Sequence, residues 1–170
     1  HFINVLNVIS DNNDVLIKDI SIISDEEKNK ILYEFNNTQM NYPENKTLID
    51  LFDAVVSKYT KNIAVSHYKK ILTYEELNNK SNYLANKLYD YGIRRGDVVG
   101  VYLNKSFELL ISIWAILKIG AVYMPMYIEY PNDRLNYMLE NSNAKLLITN
   151  NKLIKNTTFN LNVELLNSYY

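Results

Sequence analysis

The chain has 170 residues, of which 4 are Gly, 3 are Pro and none is Cys, and its formal net charge is −1. That length suits one domain, or one domain with a short appendage, and is enough to bury a core. The lack of Cys excludes disulfides, cysteine-ligated zinc and a cysteine nucleophile, and 18 Lys and Arg against 19 Asp and Glu argue against a dedicated nucleic-acid partner.

Residues 1–23 read as an appendage: Phe2–Ile9 is apolar but short, Asp11–Asp14 is a turn signal, and Val15–Ile23 alternates weakly. Ser24, three residues before Glu27, forms a capping-box pattern that opens a helix to about Asn36, with Ile31, Leu32 and Phe35 as a narrow stripe. Thr47 caps the next helix, whose apolar residues Leu48, Leu51, Phe52, Val55, Val56 and Tyr59 follow helical spacing. Asn62–Ser66 and Ile71–Leu72 are short strands around a Tyr68-Lys69-Lys70 turn. Thr73 and Glu76 make a second capping box, and Leu77, Leu84, Leu88 and Tyr91 mark the buried face of a helix ended by Gly92.

Asp97–Leu103 is an apolar strand. Lys105–Ile119 is apolar nearly all round, which predicts a buried helix closed by Gly120, with Trp114 in the core. Ala121–Met124 is a strand stopped by Pro125, and Pro131 starts a helix over Asn132–Glu140. Lys145–Thr149 and Val163–Leu166 complete the strands. Strands alternating with helices at this spacing predict an α/β fold with a mostly parallel sheet flanked by helices.

Gly92, Gly96, Gly100 and Gly120 stand apart, so neither a glycine-rich phosphate loop nor a dinucleotide fingerprint can be written. Length and glycine count together argue against a complete nucleotide-using enzyme. The apolar stretch 109–119 falls well short of the ~20 residues a bilayer needs, and no secretory leader pattern opens the chain. No membrane partner and a cytoplasmic location are therefore expected, and His1 in place of Met suggests a piece of a longer chain.

Three ordered motifs carry a resemblance. Leu72-Thr73-Tyr74-Glu75-Glu76-Leu77 resembles the first core motif of the amino-acid adenylation domains of nonribosomal peptide synthetases, in the adenylate-forming superfamily. Leu117-Lys118-Ile119-Gly120-Ala121-Val122-Tyr123-Met124-Pro125 resembles the second. Tyr130-Pro131-Asn132-Asp133-Arg134-Leu135 is similar to the stretch that follows it. The resemblance covers about residues 24–150, and residues 1–23 resemble the tail of a condensation domain.

This implies a partial N-terminal subdomain of the adenylate-forming fold, with residues 1–23 as linker and 24–170 as the incomplete first part of the adenylation domain. A whole domain of that kind uses ATP and Mg²⁺ to make an aminoacyl adenylate. It then loads the phosphopantetheine thiol of a carrier domain. The implied partners are the rest of the adenylation domain and the condensation and carrier domains. The fragment itself is expected to hold no cofactor or metal, to lack catalysis, and to self-associate through uncovered sheet edges. One departure stands out: Tyr127 and Ile128 replace the family's usual Asp and Pro. Two rival readings are part of an acyl- or aryl-CoA ligase, and a non-catalytic scaffold module.

The motif residues read as architectural. Thr73 and Glu76 cap a helix, while Leu72, Tyr74 and Leu77 pin the strand-to-helix turn. Glu75 and Glu76, without a partner in sequence, are read as non-catalytic. Tyr123–Tyr127 follow a strand and could line a site at the carboxyl edge of the sheet, against the plainer reading of packing. Asn104-Lys105-Ser106 lacks the glycines of a phosphate loop. His67, Lys69-Lys70 and Arg94-Arg95 read as turn or surface residues.

Overall fold

The structure is a computed structural model that describes residues 1–154 and 159, and the backbone of 163–165. It divides into two compact units, His1–Glu44 and Asn45–Tyr170.

The first unit holds helix α1 (Phe2–Asp11), a 3₁₀ turn at Ile17–Asp19, and helix α2 (Asp25–Asn29), which runs on as a π-helical stretch over Lys30–Glu34. The Ser24 hydroxyl accepts the amide of Glu27, which forms one half of the expected capping box, while the Glu27 carboxylate lies 3.4 Å from the His1 ring. The stripe of Ile31, Leu32 and Phe35 stays exposed, and no side chain in residues 1–44 is buried. The weak alternation of Val15–Ile23 forms no strand.

The second unit is an α/β sandwich. It begins with α3 (Leu48–Lys58) and an antiparallel hairpin of β1 (Ile63–His67) and β2 (Lys70–Thr73). There follow α4 (Tyr74–Asp90), β3 (Val98–Val101), α5 (Phe107–Lys118), β4 (Val122–Pro125), α6 (Asn132–Asn141), β5 (Leu146–Thr149), the single turn α7 (Asn151–Ile154) and β6 (Val163–Leu165). The main sheet has the order β4-β3-β5-β6, and every pairing in it is parallel.

Alternation along the strands builds two apolar layers. Leu146 and Ile148 join Val99 and Val101 in a cluster with Leu84 and Leu88 of α4 and Ile111, Ala115 and Ile116 of α5. Leu147 points the other way, to Leu135 and Leu139 of α6 and to Met126. Each such aliphatic side chain contributes about 1.5–3 kcal/mol when fully buried. Gly100 lies on the α6 side, where an added Cβ would stand 3.0 Å from Leu139 and 3.1 Å from both Leu147 and Met126. Its missing side chain lets α6 close on the sheet. None of residues 107–118 is exposed, as expected for a helix apolar all round.

Three helices end in the same device. After α4, α5 and α6 the chain turns through Gly92 (φ 87°), Gly120 (φ 70°) and Asn143 (φ 50°). The two amides that follow each helix bond back to its last turn. Gly92 and Ile93 donate to Tyr89 and Leu88, Gly120 and Ala121 to Leu117 and Ile116, and Asn143 and Ala144 to Glu140 and Leu139. This is the Schellman arrangement, in which the residue after the left-handed one packs back on the helix. Ile93, Ala121 and Ala144 are accordingly buried.

That geometry corrects the reading of Tyr91. Helical spacing assigns it to the buried face, but the helix has already ended, Ile93 takes the inward place, and Tyr91 is 54% exposed. Trp114 is half-buried rather than central, stacked on Phe52 with ring centroids 3.9 Å apart. Pro125 does not stop its strand; it pairs with Val101 as the last residue of β4. The amides of Val122 and Met126 turn toward β3, donating to Asp97 and Val101. Pro125, one residue out of phase, has its ring nitrogen on the outer edge, where no ladder bond is lost.

Candidate functional site

The motif residues fall into three places in the second unit. The first motif joins β2 to α4. Thr73 and Glu76 form a complete capping box, in which Glu76 accepts the Thr73 amide at 2.8 Å and the Thr73 hydroxyl accepts the Glu76 amide at 3.2 Å. The bonds from Thr73 hold the Glu76 carboxyl below the usual carboxylate range. Leu72 and Leu77 are buried, and Tyr74 is packed against the same cluster near Phe52. Glu75 is exposed.

Lys118 stands where three helices meet. From the end of α5 its ammonium donates to the side-chain oxygens of Asn78 and Asn82, one turn apart on α4. It also lies 5.5 Å from the ring centroid of Phe52 on α3. Burial lowers its pKa, and the nearby Asp53 pushes the other way. Leu117 accepts the Gly120 amide in the turn that follows.

The remaining motif residues gather at a crevice of about 980 Å³ at the carboxyl ends of β3 and β4. Its floor is apolar: Val101, Leu103, Leu109, Met126, Ile128 and Met138. Tyr123 and Pro125 of β4 line it, followed by Tyr127 and Tyr130, and Arg134 of α6 reaches the rim. Pro131 caps α6 with extended backbone, so Arg134 falls in the first turn of that helix. The buried Tyr102 fastens this wall by donating its hydroxyl proton to the Ile128 carbonyl at 3.1 Å. Asn104, Lys105 and Ser106 line the crevice from the β3–α5 loop. The Ser106 hydroxyl accepts the Leu109 amide, so it serves as the N-cap of α5.

Sequence reasoning brought Tyr123–Tyr127 to this edge but missed the contribution of the β1–β2 hairpin. His67 and Tyr68 line the same crevice. The His67 ring meets Tyr68 and Phe107 edge to face, with centroids 4.5 and 5.9 Å away. Tyr68 has φ 53° and is 93% exposed. The signal available was a two-residue turn with no Gly, Asn or Asp to take the left-handed position. On the other element, Tyr127 meets Tyr130 edge to face at 5.6 Å, and the Arg134 guanidinium lies 4.1 Å over the Tyr130 ring. Burial raises the pKa of Tyr123, and a hydrogen bond to Glu129 raises that of Tyr127.

The turn charges divide. Lys69 and Lys70 are exposed. Arg94 instead donates to the Tyr89 and Ile93 carbonyls at 2.6 and 2.9 Å and lies 3.7 Å over the Tyr89 ring, covering the end of α4. Arg95 lays its stem against Gly120. Asp97 accepts the Arg94 amide and pairs with Lys145 at 2.8 Å. Those bonds, the one from Lys145 first, depress its pKa.

Residues 52–167 match the family described as "AMP-binding enzyme". The chain belongs to that family. It is 40% identical over 154 residues to gramicidin S synthase 2 of Brevibacillus brevis, covering 91% of this chain and 4% of that synthase. The solved nonribosomal peptide synthetase FmoA3 superposes with a TM-score of 0.70 at 29% identity, over 76% of this chain and 14% of that one. The N-terminal subdomain of Klebsiella oxytoca NpsA gives 0.63 at 27% identity, over 71% of this chain and 31% of that one. These likenesses assign the chain to the N-terminal part of a peptide-synthetase adenylation domain and favour that over a CoA ligase. The chain spans a small part of the relatives it matches. Among the described residues, no helix is long and apolar enough to cross a membrane.

Proposed function

We propose that the whole protein to which this chain corresponds activates an amino acid with ATP and Mg²⁺ as an aminoacyl adenylate and then transfers the acyl group to a carrier-bound phosphopantetheine thiol. Residues 1–23 belong to a condensation-domain tail in this reading, and 24–170 to the first part of the adenylation domain. Condensation and carrier domains are then partners in one synthetase. Placement of the three motif segments around one parallel sheet, in a chain that matches the AMP-binding family, carries the proposal.

Residues 1–170 alone do not perform the reaction. Among the described residues, no group of three His, Asp or Glu could hold a metal ion by itself. The α5 N-terminus is held by Ser106 and has no glycine loop before it. What this chain supplies is scaffold: a capped strand-to-helix joint at Thr73, a three-helix junction at Lys118, and one wall of a crevice. Amino-acid-dependent ATP–pyrophosphate exchange is the test. No exchange is expected from residues 1–170, and robust exchange by them alone would overturn the proposal.

The isolated chain also self-associates in this reading, because the sheet ends in an open strand beside exposed apolar side chains such as Val122 and Tyr127. Light scattering should show dimers or larger species, and a monomer at high concentration would count against it.

A further inference from the structure

Four features of the crevice point to a ligand class. First, two aromatic ladders from separate elements converge on it, one through Phe107, His67 and Tyr68 and one through Tyr127, Tyr130 and Arg134. Planar rings and a stacked guanidinium offer faces and edges to another planar ring. Second, Lys105 and Arg134 are exposed on its rim, and among the described residues neither has an acidic partner. Among the described residues, no carboxylate lines the crevice; the nearby Glu129 accepts the Tyr127 hydroxyl. An amphipathic hollow edged by two unpaired cations is complementary to an anion on an apolar body. Third, its volume of about 980 Å³ lies at the top of the range of small-molecule sites, about 300–1,000 Å³.

The fourth feature is Tyr68. A bulky residue in the left-handed region is an outlier, and Gly would hold φ 53° without steric cost. Here the strain holds an aromatic ring, 93% exposed, at the mouth of the crevice. Backbone strain of this kind gathers at ligand clamps.

We propose that the crevice at the carboxyl ends of β3 and β4 binds a small planar aromatic anion, the ring held among Tyr68, Tyr127 and Tyr130 and the charge met by Lys105 and Arg134. The site uses the Lys105 ammonium rather than the backbone amides of α5. It does not depend on adenylate formation, so binding is read without ATP and stands or falls apart from the exchange assay.

The test uses the 170-residue chain and three probes: 2-naphthoate, 2-naphthyl phosphate and the neutral 2-naphthamide. Titrations followed by NMR should show both anions binding about tenfold more tightly than the amide, with tyrosine ring resonances shifting. The ratio between the two anions tells which anionic group the rim prefers. Replacing both cations, Lys105→Gln with Arg134→Gln, should abolish that advantage, while Lys105→Gln alone, at a residue outside the ring stack, should reduce it and leave the amide within about twofold. Both side chains are exposed, so circular dichroism should be unchanged. Tyr68→Ala should weaken all three probes about threefold. Equal binding of amide and naphthoate, or naphthoate binding untouched by the double substitution, would overturn the proposal. So would no binding of any probe at millimolar concentration.

Discussion

Residues 1–44 carry two helices and not one buried side chain, whereas residues 45–170 contain every buried side chain described. Both follow the same local rules. Ser24 caps α2 as Thr73 caps α4, and apolar stripes run along helices in both. The difference lies in what the stripes meet. In the second unit α4, α5 and α6 press Leu88, Ile116 and Leu135 against a sheet that sheds all three from water. In the first, Phe2, Leu6, Leu32 and Phe35 stay exposed. Capping and periodicity thus make helices, but a core requires a second layer.

The largest effect expected from breaking this contrast is in the α4 layer. Leu88→Ala should cost about 3 kcal/mol in urea unfolding, because it empties a fully buried site. Gly100→Ala pushes a methyl group into Leu139, Leu147 and Met126 and should cost about 1–2 kcal/mol by the same assay. Thr73→Ala removes a cap and should cost about 1 kcal/mol.

Acid should act next. Asp50, Glu76 and Asp97 all lie in the second unit, and hydrogen bonds hold each below its ordinary pKa. A depressed carboxyl stabilises the fold above its unfolded pKa, and that contribution is lost as pH falls through the folded value. The thermal midpoint should therefore decline as pH drops below the ordinary values of 3.8 and 4.5. Asp97→Asn should flatten part of that decline. The smallest effect belongs to the first unit: Leu6→Ala, at a site 48% exposed, should change stability by less than about 0.5 kcal/mol. A cost equal to that of Leu88→Ala would mean that the first unit shares a core and that the contrast is wrong.

Local signals read well from the sequence. The Ser24 and Thr73 caps and the Gly92 and Gly120 stops rest on hydrogen bonds within five residues, and the structure reproduces them. The strands from Asn62 to Thr149 were legible as short apolar runs although their pairings reach as far as 24 and 47 residues. Asn143 was missed as a stop because Asn adopts the left-handed form less regularly than Gly. Tyr91 was misplaced because periodicity cannot see that a helix has ended. Arg94 looked like a solvated charge because its partners are backbone carbonyls, which no sequence pattern displays. The crevice was half legible. Tyr123 and Pro125 follow the rule for the carboxyl edge of a sheet. His67 and Tyr68 reach it only because the β1–β2 hairpin folds toward α5, a contact 40 residues apart in sequence between His67 and Phe107.

Pro125 has a consequence for how many copies can join. In polymer chemistry a monomer with two reactive ends grows chains, while one with a single reactive end stops at the first coupling. Strand β4 closes one margin of the main sheet, and there Pro125 offers no proton on its outward side. At the opposite margin β6 is the last described strand. The outward Tyr123 amide remains beside Pro125, so the β4 margin is a weakened coupling end, one that favours short assemblies over long backbone-paired chains.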